Sequence, residues 1–228
     1  MSTPNLSPTT RTTLGRAKAR GRTERTALDE VLDAGWICHL GVVVDGVPRV
    51  IPTGYGRDGD TLYLHGSTGA RSLVEGSGQP VCVTVTHVDG VVLARSIFHH
   101  SVNYRSAMIY ATPRRVTDPG ELLGGLRTLS EQMAPGRWDA VRPPTRKELA
   151  ATAVLALSLE EASVKVRQGP PEDEPEDYAL DVWAGVLPVR QVFGEPVPDP
   201  RLRPGIDVPA HVLERADGGH LAPIAPES

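Results

Sequence analysis

Short runs of apolar and β-branched residues, separated by Gly-containing turns, recur through the first half of the chain and constrain its fold most strongly. The run at residues 36–44 ends at Asp45-Gly46, a dipeptide typical of a two-residue hairpin. The next run, at 48–55, turns around 57–60 and continues as TLYLH. This spacing predicts three consecutive antiparallel strands joined by short turns.

The same pattern continues further along the chain. VCVTVTHV precedes a second predicted turn at Asp89-Gly90, and VVLARSIF follows it. Residues 104–116 read as another long strand, and 153–166 as a final barrel strand. Helical periodicity is found at 24–34, in a short helix ending at Gly76, and in an amphipathic helix from Pro119 to Met133. The Pro-containing connection at 137–151 allows a short helix at its end. Because the hairpins leave no alternation of strands and helices, the sequence predicts a mainly β fold, a closed or split barrel with peripheral α-helices.

Composition excludes several classes of function. The 228 residues carry 24 Lys and Arg against 28 Asp and Glu, a net charge of −4, which argues against sequence-independent nucleic-acid binding. No apolar stretch approaches the roughly 18 residues of a membrane-spanning helix. The N-terminus lacks the apolar core of a secretory signal. Cys38 and Cys82 lie in apolar runs typical of buried thiols, with a disulfide or a reactive sulfur as the alternative. We therefore expect a cytoplasmic protein.

The chain divides into three parts by composition. Residues 1–23 are polar and predict a flexible arm, with a basic arm docked on a partner as the alternative. Residues 24–198 form the predicted barrel domain, which includes an acidic, Pro-rich linker at 169–181 and a Trp-containing segment at 182–198. Residues 199–228 predict a flexible tail.

The segment at 61–76 has the pattern of an anion site. A strand runs into Gly-Ser-Thr-Gly and then into a helix that carries Arg71 in its first turn. The free N–H groups of a helix start, the hydroxyls of Ser67 and Thr68 and the guanidinium of Arg71 would together suit a terminal phosphate monoester. On local grounds alone, an ordinary N-cap followed by a surface arginine explains the same residues.

The preceding strand is interrupted at Pro52, which removes a ladder donor. Thr53-Gly54-Tyr55 follows it and would expose backbone and a small hydroxyl to a planar heterocycle. An ordinary edge strand with a bulge is the alternative.

Taken in order, these segments resemble the pyridoxamine 5′-phosphate oxidase-like flavoproteins, and within them the branch of the nitroimidazole-resistance reductases. The resemblance rests on WICHLGVVV, VPRVIPTGY and LYLHGSTGARS, on the strand start Asn103 to Ser106, and on WAGVLP from Trp183. It implies an FMN-binding split β-barrel of Greek-key type. It also implies a homodimer that holds FMN at the subunit interface and acts on a small-molecule substrate.

The resemblance also assigns roles to residues of this chain. One strand would line the isoalloxazine ring, the loop after the next strand would hold the phosphate, a third strand would approach from the partner subunit, and a tryptophan would cover the cofactor. The ring residues would be Ile51, Thr53 and Tyr55, and the phosphate residues Ser67, Thr68, Arg71 and Ser72. The residues from the partner subunit would be Tyr104, Arg105 and Ser106, and the covering tryptophan would be Trp183.

His65 stands at the end of its strand, beside the predicted phosphate loop. With an ordinary pKa near 6.5 it would suit proton donation to a substrate that receives hydride, while a histidine that only shapes the loop is the alternative. No His, Cys or carboxylate spacing completes a metal site, since His99 and His100, as neighbours on a strand, would point to opposite faces.

Two functions from different classes remain open at this point. The first is an FMN-dependent oxidoreductase that moves hydride between NADH or NADPH, bound transiently, and a small electrophilic acceptor. The second is a haem-binding or haem-handling barrel, with His65, His87, His99 or His100 as axial ligand. A barrel that has lost its cofactor and serves a regulatory or assembly role is a further alternative.

Overall fold

The computed structural model of the protein describes residues 5–6, 8–69 and 77–218. Its described strands form one antiparallel sheet in the order β1-β9-β6-β5-β2-β3-β4-β8-β7, and β10 pairs with β5. The strands are β1 (Gly21–Arg22), β2 (Ile37–Val44), β3 (Val47–Asp58), β4 (Thr61–Ser67), β5 (Val81–Leu93), β6 (Ser101–Ala111), β7 (Arg114–Arg115), β8 (Thr152–Ser158), β9 (Ala162–Arg167) and β10 (Gly185–Pro188).

One helix packs against the inner core of this sheet and another covers part of its outer face. None of the helices described is both long and apolar enough to cross a membrane. The mainly β architecture with peripheral helices, which the sequence predicts, is confirmed. The α-helices are α1 (Arg25–Asp33), α2 (Pro119–Met133), α3 (Arg137–Ala140), α4 (Arg146–Ala151) and α5 (Ala210–Gly218); short 3-10 helices lie at Lys18–Arg20, Ile97–His99 and Pro175–Ala179.

The β2–β3 hairpin forms for a local reason. Asp45 and Gly46 both have positive φ, 53° and 75°, the backbone that a two-residue turn between twisted strands requires. Along β2, Cys38, Leu40, Val42 and Val44 point inward, and the residues between them point outward. Because side chains alternate along a strand, one face of this hairpin points into the barrel core.

The main core is aliphatic. Side chains from the inward faces of the strands pack against Leu28, Val31 and Leu32 of α1, all fully buried. On the other side of β4 and β8 a smaller cluster joins Tyr63 and Val154 to Leu129 of α2. β4 is thus buried on both faces over its middle, and it connects the barrel core to the helix that covers it.

Close backbone packing positions α2. Asp118 caps the helix, since its carboxylate accepts the Glu121 N–H at 2.8 Å. At Gly56 of β3, a Cβ would lie only 2.8 Å from the backbone nitrogen of Leu129, so the helix and the strand touch without a side chain between them. The prediction of an amphipathic helix from Pro119 to Met133 is confirmed.

The predicted turn at Asp89-Gly90 is wrong. β5 runs unbroken from Val81 to Leu93, and its register against β6 shifts between Val88 and Gly90. Asp89 is the extra residue of a β-bulge, so the strand continues and the aspartate leaves the ladder. The backbone oxygen of Asp89 accepts the N–H of Val189, just beyond β10, at 3.1 Å.

The single strand predicted at 153–166 is in fact two. β8 ends at Ser158, and β9 begins at Ala162. The turn between them contains neither Gly nor Pro; it is held by Leu159 N–H donating to the Asp60 oxygen at 3.0 Å and by Glu160 N–H donating to Ser158 Oγ at 3.2 Å. These contacts come from the tertiary fold, which explains why the sequence pattern alone does not predict the turn.

The described part of the N-terminal arm lies against the barrel. β1 pairs with β9, and the Leu6 N–H donates to the Thr23 oxygen at 2.7 Å. The Arg11 guanidinium forms an ion pair with Glu161 in the β8–β9 turn. These contacts show where the described part of the arm lies. The flexibility that the sequence predicts for it stays a prediction, and so does the division of the chain into arm, domain and tail.

The C-terminal region also contains structure that the sequence pattern missed. Helix α5 lies inside the predicted tail, and Arg215 stands over the rings of Trp36 and Phe193, 5.5 and 4.8 Å from their centroids. In the acidic linker, the Asp173 carboxylate is fully buried and accepts the Arg95 backbone N–H at 2.9 Å. That part of the linker is therefore packed against the barrel and is not the solvated loop that its composition predicts.

Candidate functional site

A cleft of about 250 Å³ lies between the β3–β4 region and the C-terminal half of α2. One wall is strand and the other is helix, followed by the first turn of α3. Among the residues that line it are Gly54, Tyr55, His65, Ser130, Met133 and Arg137. Sequence reasoning identified Tyr55 and His65 but missed the helical wall, because the periodicity of α2 indicated only an apolar face.

His65 is the exposed residue of this cleft that can exchange a proton. It follows Leu64, whose side chain points into the barrel core, so the alternation of β4 directs His65 outward. Within the described residues its ring makes no hydrogen bond or ion pair. Both ring nitrogens are therefore open to a bound molecule.

The other histidines considered as ligands are engaged. Nε2 of His87 lies 2.9 Å from the carbonyl oxygen of Val31, so this nitrogen carries the proton and donates it. Burial lowers the pKa of His87, which favours the neutral ring. Nδ1 of His100 lies 2.8 Å from the Ser96 oxygen, and Nε2 of His99 lies 3.5 Å from the Glu174 carboxylate.

The predicted phosphate loop is described only at its start. Ser67 is exposed at the end of β4, and its Oγ accepts the Gly69 N–H at 3.2 Å, which leaves the hydroxyl hydrogen free to donate. The Thr68 N–H donates to the Ala151 oxygen at 3.0 Å. Arg71, Ser72 and the helix predicted to end at Gly76 lie outside the described residues.

The first half of β3 has an open edge. Residues 47–54 pair with β2 alone in the described part of the chain, whereas β4 joins the strand only from Tyr55 onward. Ile51 and Thr53 are half-buried there, opposite Leu40 and Cys38 of β2. The open backbone edge is the feature that a planar heterocycle would need, and the contacts predicted for Ile51 and Thr53 stay predictions.

Tyr55 is placed differently from the other two. Its side chain is only 1% exposed, and its hydroxyl donates to the Leu32 oxygen at 2.5 Å. Burial raises the pKa of this phenol well above its usual value. The residue ties α1 to the barrel and reaches the cleft as part of its wall, so any cofactor contact would be through the ring and not the hydroxyl.

On β6, the three predicted residues point to two faces. Tyr104 and Ser106 are half-buried on the outer face of the sheet. Arg105 points the other way, is 2% exposed, and donates through Nε and Nη2 to the two carboxylate oxygens of Asp89, both at 2.9 Å. The structure therefore keeps Tyr104 and Ser106 together, while Arg105 is occupied by a carboxylate of the β5 bulge.

Trp183 precedes β10 and is 68% exposed. Its ring lies against Gly185, where a Cβ would come within 2.9 Å of Cζ2. The indole does not line the cleft beside His65, so the role predicted for it there requires a bound molecule or a second chain.

Neither cysteine forms a disulfide; both are free thiols. Cys38 is buried, and this burial raises its pKa to about 12. Within the described residues, no three His, Cys, Asp or Glu side chains are grouped so as to hold a metal ion.

The sheet and its open β3 edge define a split β-barrel, and the cleft beside β4 is a candidate site on its outer surface. A family sequence model described as pyridoxamine 5′-phosphate oxidase matches residues 24–166. The chain therefore belongs to the pyridoxamine 5′-phosphate oxidase family, and the resemblance noted in the sequence is confirmed. No curated protein sequence matches the chain.

Two solved structures are similar over almost their whole length. The flavocytochrome Anf3 from Azotobacter vinelandii is 39% identical, with a TM-score of 0.87, over 92% of this chain and 98% of that one. The FAD and haem binding protein from Mycobacterium smegmatis is 40% identical, with a TM-score of 0.84, over 89% of this chain and 98% of that one. A candidate 5-nitroimidazole antibiotic resistance protein from Bacteroides thetaiotaomicron, 19% identical with a TM-score of 0.55 over 64% of this chain and 86% of that one, shares the fold.

Proposed function

We propose that this protein is a flavin-dependent oxidoreductase whose site also binds haem. The observation that carries the proposal is the close similarity, along nine-tenths of the chain, to two proteins named for a flavin and a haem together. The sequence treated haem as an alternative to the flavin. The two relatives favour both in one protein, with FAD beside FMN as the candidate nucleotide.

The described residues fit a flavin in two places. The open edge of β3 offers unpaired backbone N–H and C=O groups to the polar rim of an isoalloxazine ring, next to Ile51 and Thr53. Ser67 keeps a hydroxyl hydrogen for a phosphate oxygen. When bound, the flavin would supply hydride chemistry between a reduced nicotinamide and a small electrophilic acceptor.

His65 is the residue best suited to the haem. Of the four histidines that the sequence offered, it alone has no partner among the described residues, and it opens into a cleft with an apolar wall from α2. An axial ligand needs one ring nitrogen that is free to bind iron. The contacts with backbone oxygens occupy Nε2 of His87 and Nδ1 of His100. Both ring nitrogens of His65 are free of partners among the described residues. The earlier assignment of His65 as a proton donor competes with this role.

A second copy of the chain would complete the site. The His65 cleft, at about 250 Å³, is smaller than the roughly 300–1,000 Å³ usual for sites that enclose a cofactor. Apolar side chains also remain exposed on the β2–β3 hairpin, including Val43, Val47 and Val50 at 61%, 56% and 70%. These observations support the predicted homodimer with the cofactor at the subunit interface. The free thiols support the predicted cytoplasmic location.

The absorption spectrum of the purified protein, alone and after addition of FMN, FAD or haemin, tests the proposal. We expect the two visible bands of a flavin, bleached by NADH or NADPH under anaerobic conditions, and a Soret band with haemin. Heat release and chromatography of the bound flavin would separate FMN from FAD. A protein that gains neither spectrum would refute the proposal.

Substitution of His65 separates its two possible roles. His65→Ala is expected to shift or abolish the Soret band while the flavin stays bound, with His39→Ala, an exposed histidine of β2, as the matched control. An unchanged Soret band together with slower turnover would instead support proton donation by His65.

A further inference from the structure

Arg167 ends β9 on the same outer face of the sheet as two predicted cofactor residues. It lies opposite Tyr104 in the β6–β9 register, and Lys165 lies opposite Ser106. Arg167 is only 8% exposed, although its strand stands next to the short edge strand β1. A buried guanidinium in such a place normally requires a carboxylate or another anion beside it.

The acceptors around Arg167 are all neutral. Nη1 donates to the amide oxygen of Asn103 and, at 3.2 Å, to the backbone oxygen of Gly169; Nη2 donates to the backbone oxygen of Pro170 at 3.1 Å. A guanidinium has five N–H donors, so Nε–H and one Nη2–H remain without an acceptor among the described residues. Arg167 forms no direct ion pair with any described carboxylate, and Glu172 acts on its charge only from a longer distance.

The surrounding charges make this position more electropositive. Arg20, in the segment just before β1, is close enough to act on Arg167, and Lys165 pairs with Gly21 across the same edge. Burial first, and then Arg20, lower the pKa of Arg167, whereas Glu172 and Tyr104 act in the opposite direction.

Arg105, the neighbouring buried arginine, shows the contrast. Its guanidinium is held by both carboxylate oxygens of Asp89. The sequence selected Arg105 as the cofactor residue of this strand pair, and the structure shows that its charge is already matched. The charge still available lies one strand away, at Arg167.

We propose that Arg167 binds an oxyanion, the phosphate of a flavin nucleotide or a carboxylate of haem, with Arg20 and Lys165 beside it. Two oxygens of such a group would accept the two free N–H donors and would neutralise the buried charge. This inference rests on the proposed function. It defines a second anion site, because β9 and the β4 end that carries Ser67 are separated in the sheet by β6, β5, β2 and β3.

Ligands with and without the anionic group provide the test. The Kd of FAD, FMN and riboflavin, and of haemin and its dimethyl ester, is measured for the wild type and for Arg167→Gln. We expect Arg167→Gln to weaken the anion-bearing member of one series about 10- to 100-fold and to leave its uncharged counterpart unchanged. The flavin and haem series together identify which molecule carries the group. Arg115→Gln, an exposed arginine of β7, is the control with the same change of charge.

Three outcomes would overturn the inference. Equal weakening of charged and uncharged ligands would show that Arg167 only supports the fold, and unchanged affinity for all of them would show that it binds nothing. If Arg167→Gln does not fold, as judged by its thermal unfolding, Arg20→Gln replaces it, with an expected loss of about 2- to 5-fold for the anionic ligand alone. No selective loss there would also overturn it.

A wild-type protein that binds neither flavin nor haem would refute the proposed function separately. In that case inorganic pyrophosphate is the probe: it is expected to raise the Tm of the wild type and of Arg115→Gln, but not that of Arg167→Gln. The absence of a shift in the wild type would overturn the anion site as well.

Discussion

The contact between β3 and α2 at Gly56 can be tested by adding one methyl group. An alanine Cβ at this position would lie 2.8 Å from Leu129 N and from the carbonyl carbon and oxygen of Thr128. Carbon atoms pack best at about 3.5–4.0 Å, so the overlap is roughly 0.7 Å or more. The crowding atoms belong to the helix backbone and have no rotamer to change. Gly56→Ala must therefore push α2 away from the barrel.

The magnitude follows from two opposing effects. Overpacking of this kind costs about 1–3 kcal/mol, and replacing glycine in the unfolded chain returns about 0.4–1 kcal/mol. We expect a net loss of about 1–2 kcal/mol in the free energy of unfolding, or a fall in Tm of about 2–8 °C for a chain of this size.

Gly54→Ala is the matched control, two residues away on the same face of the strand. Its Cβ would meet only the Trp36 oxygen at 3.8 Å, an ordinary contact, so its stability should equal or slightly exceed that of the wild type. Urea denaturation of the three proteins, with m-values compared to confirm a common transition, measures the difference. Equal stability of Gly56→Ala and Gly54→Ala would refute the close packing of α2 on β3.

Two further predictions concern charged groups. Asp89→Ala leaves the guanidinium of Arg105, whose side chain is 3% exposed, without its carboxylate and should lower the free energy of unfolding by about 3–5 kcal/mol. The double variant Asp89→Ala, Arg105→Met should recover part of that loss. A double-mutant cycle that shows no coupling between the two positions would contradict this prediction. The Arg142 guanidinium, with Thr145, lowers the pKa of Glu148 from 4.5 to about 2. Because the folded pKa is depressed, the stabilisation is present above pH 4.5 and disappears as pH falls toward 2. Urea unfolding of Glu148→Gln should thus depend less on pH than the wild type in that window, with Glu160→Gln as the surface control; parallel profiles of Glu148→Gln and wild type would count against it.

Two Asp-Gly dipeptides show what the sequence could and could not predict about the fold. Asp45-Gly46 adopts the positive φ angles of a hairpin turn because the strands on either side pair with each other. Neither Asp89 nor Gly90 has a positive φ, since the residues around them pair with β6 and, beyond the bulge, with β10. The dipeptide is the same at both positions, and the strands that pair with the flanking residues decide whether a turn forms. Secondary structure set by its own residues, such as α2, was therefore predictable, and the bulge was not.

The candidate site residues also divide into those that the local pattern predicts and those that depend on the tertiary fold. His65 and Ser67 were predictable because the period of β4 places both on its outer side. Tyr55, Arg105 and Arg167 could not be distinguished by pattern, because each depends on what a distant strand or helix brings next to it: the Leu32 carbonyl, the Asp89 carboxylate, and only neutral oxygens. An alternating strand predicts which way a side chain points, but its charge partner comes from the assembled sheet.

The bulge at Asp89 has a consequence for how the chain tolerates insertions. β10 pairs with β5 only on the far side of the bulge, from Gly90 to Leu93, and the Val189 N–H bonds to Asp89 itself. The segment that carries Trp183 is therefore aligned by counting residues from this one irregularity. A residue gained or lost between Val88 and Gly90 would shift the end of β5 that pairs with β10, and Trp183 with it, by about 3.3 Å relative to β6, and would reverse the faces of that end. The position of Trp183 is thus determined by a β-bulge that lies nearly a hundred residues before it in the chain.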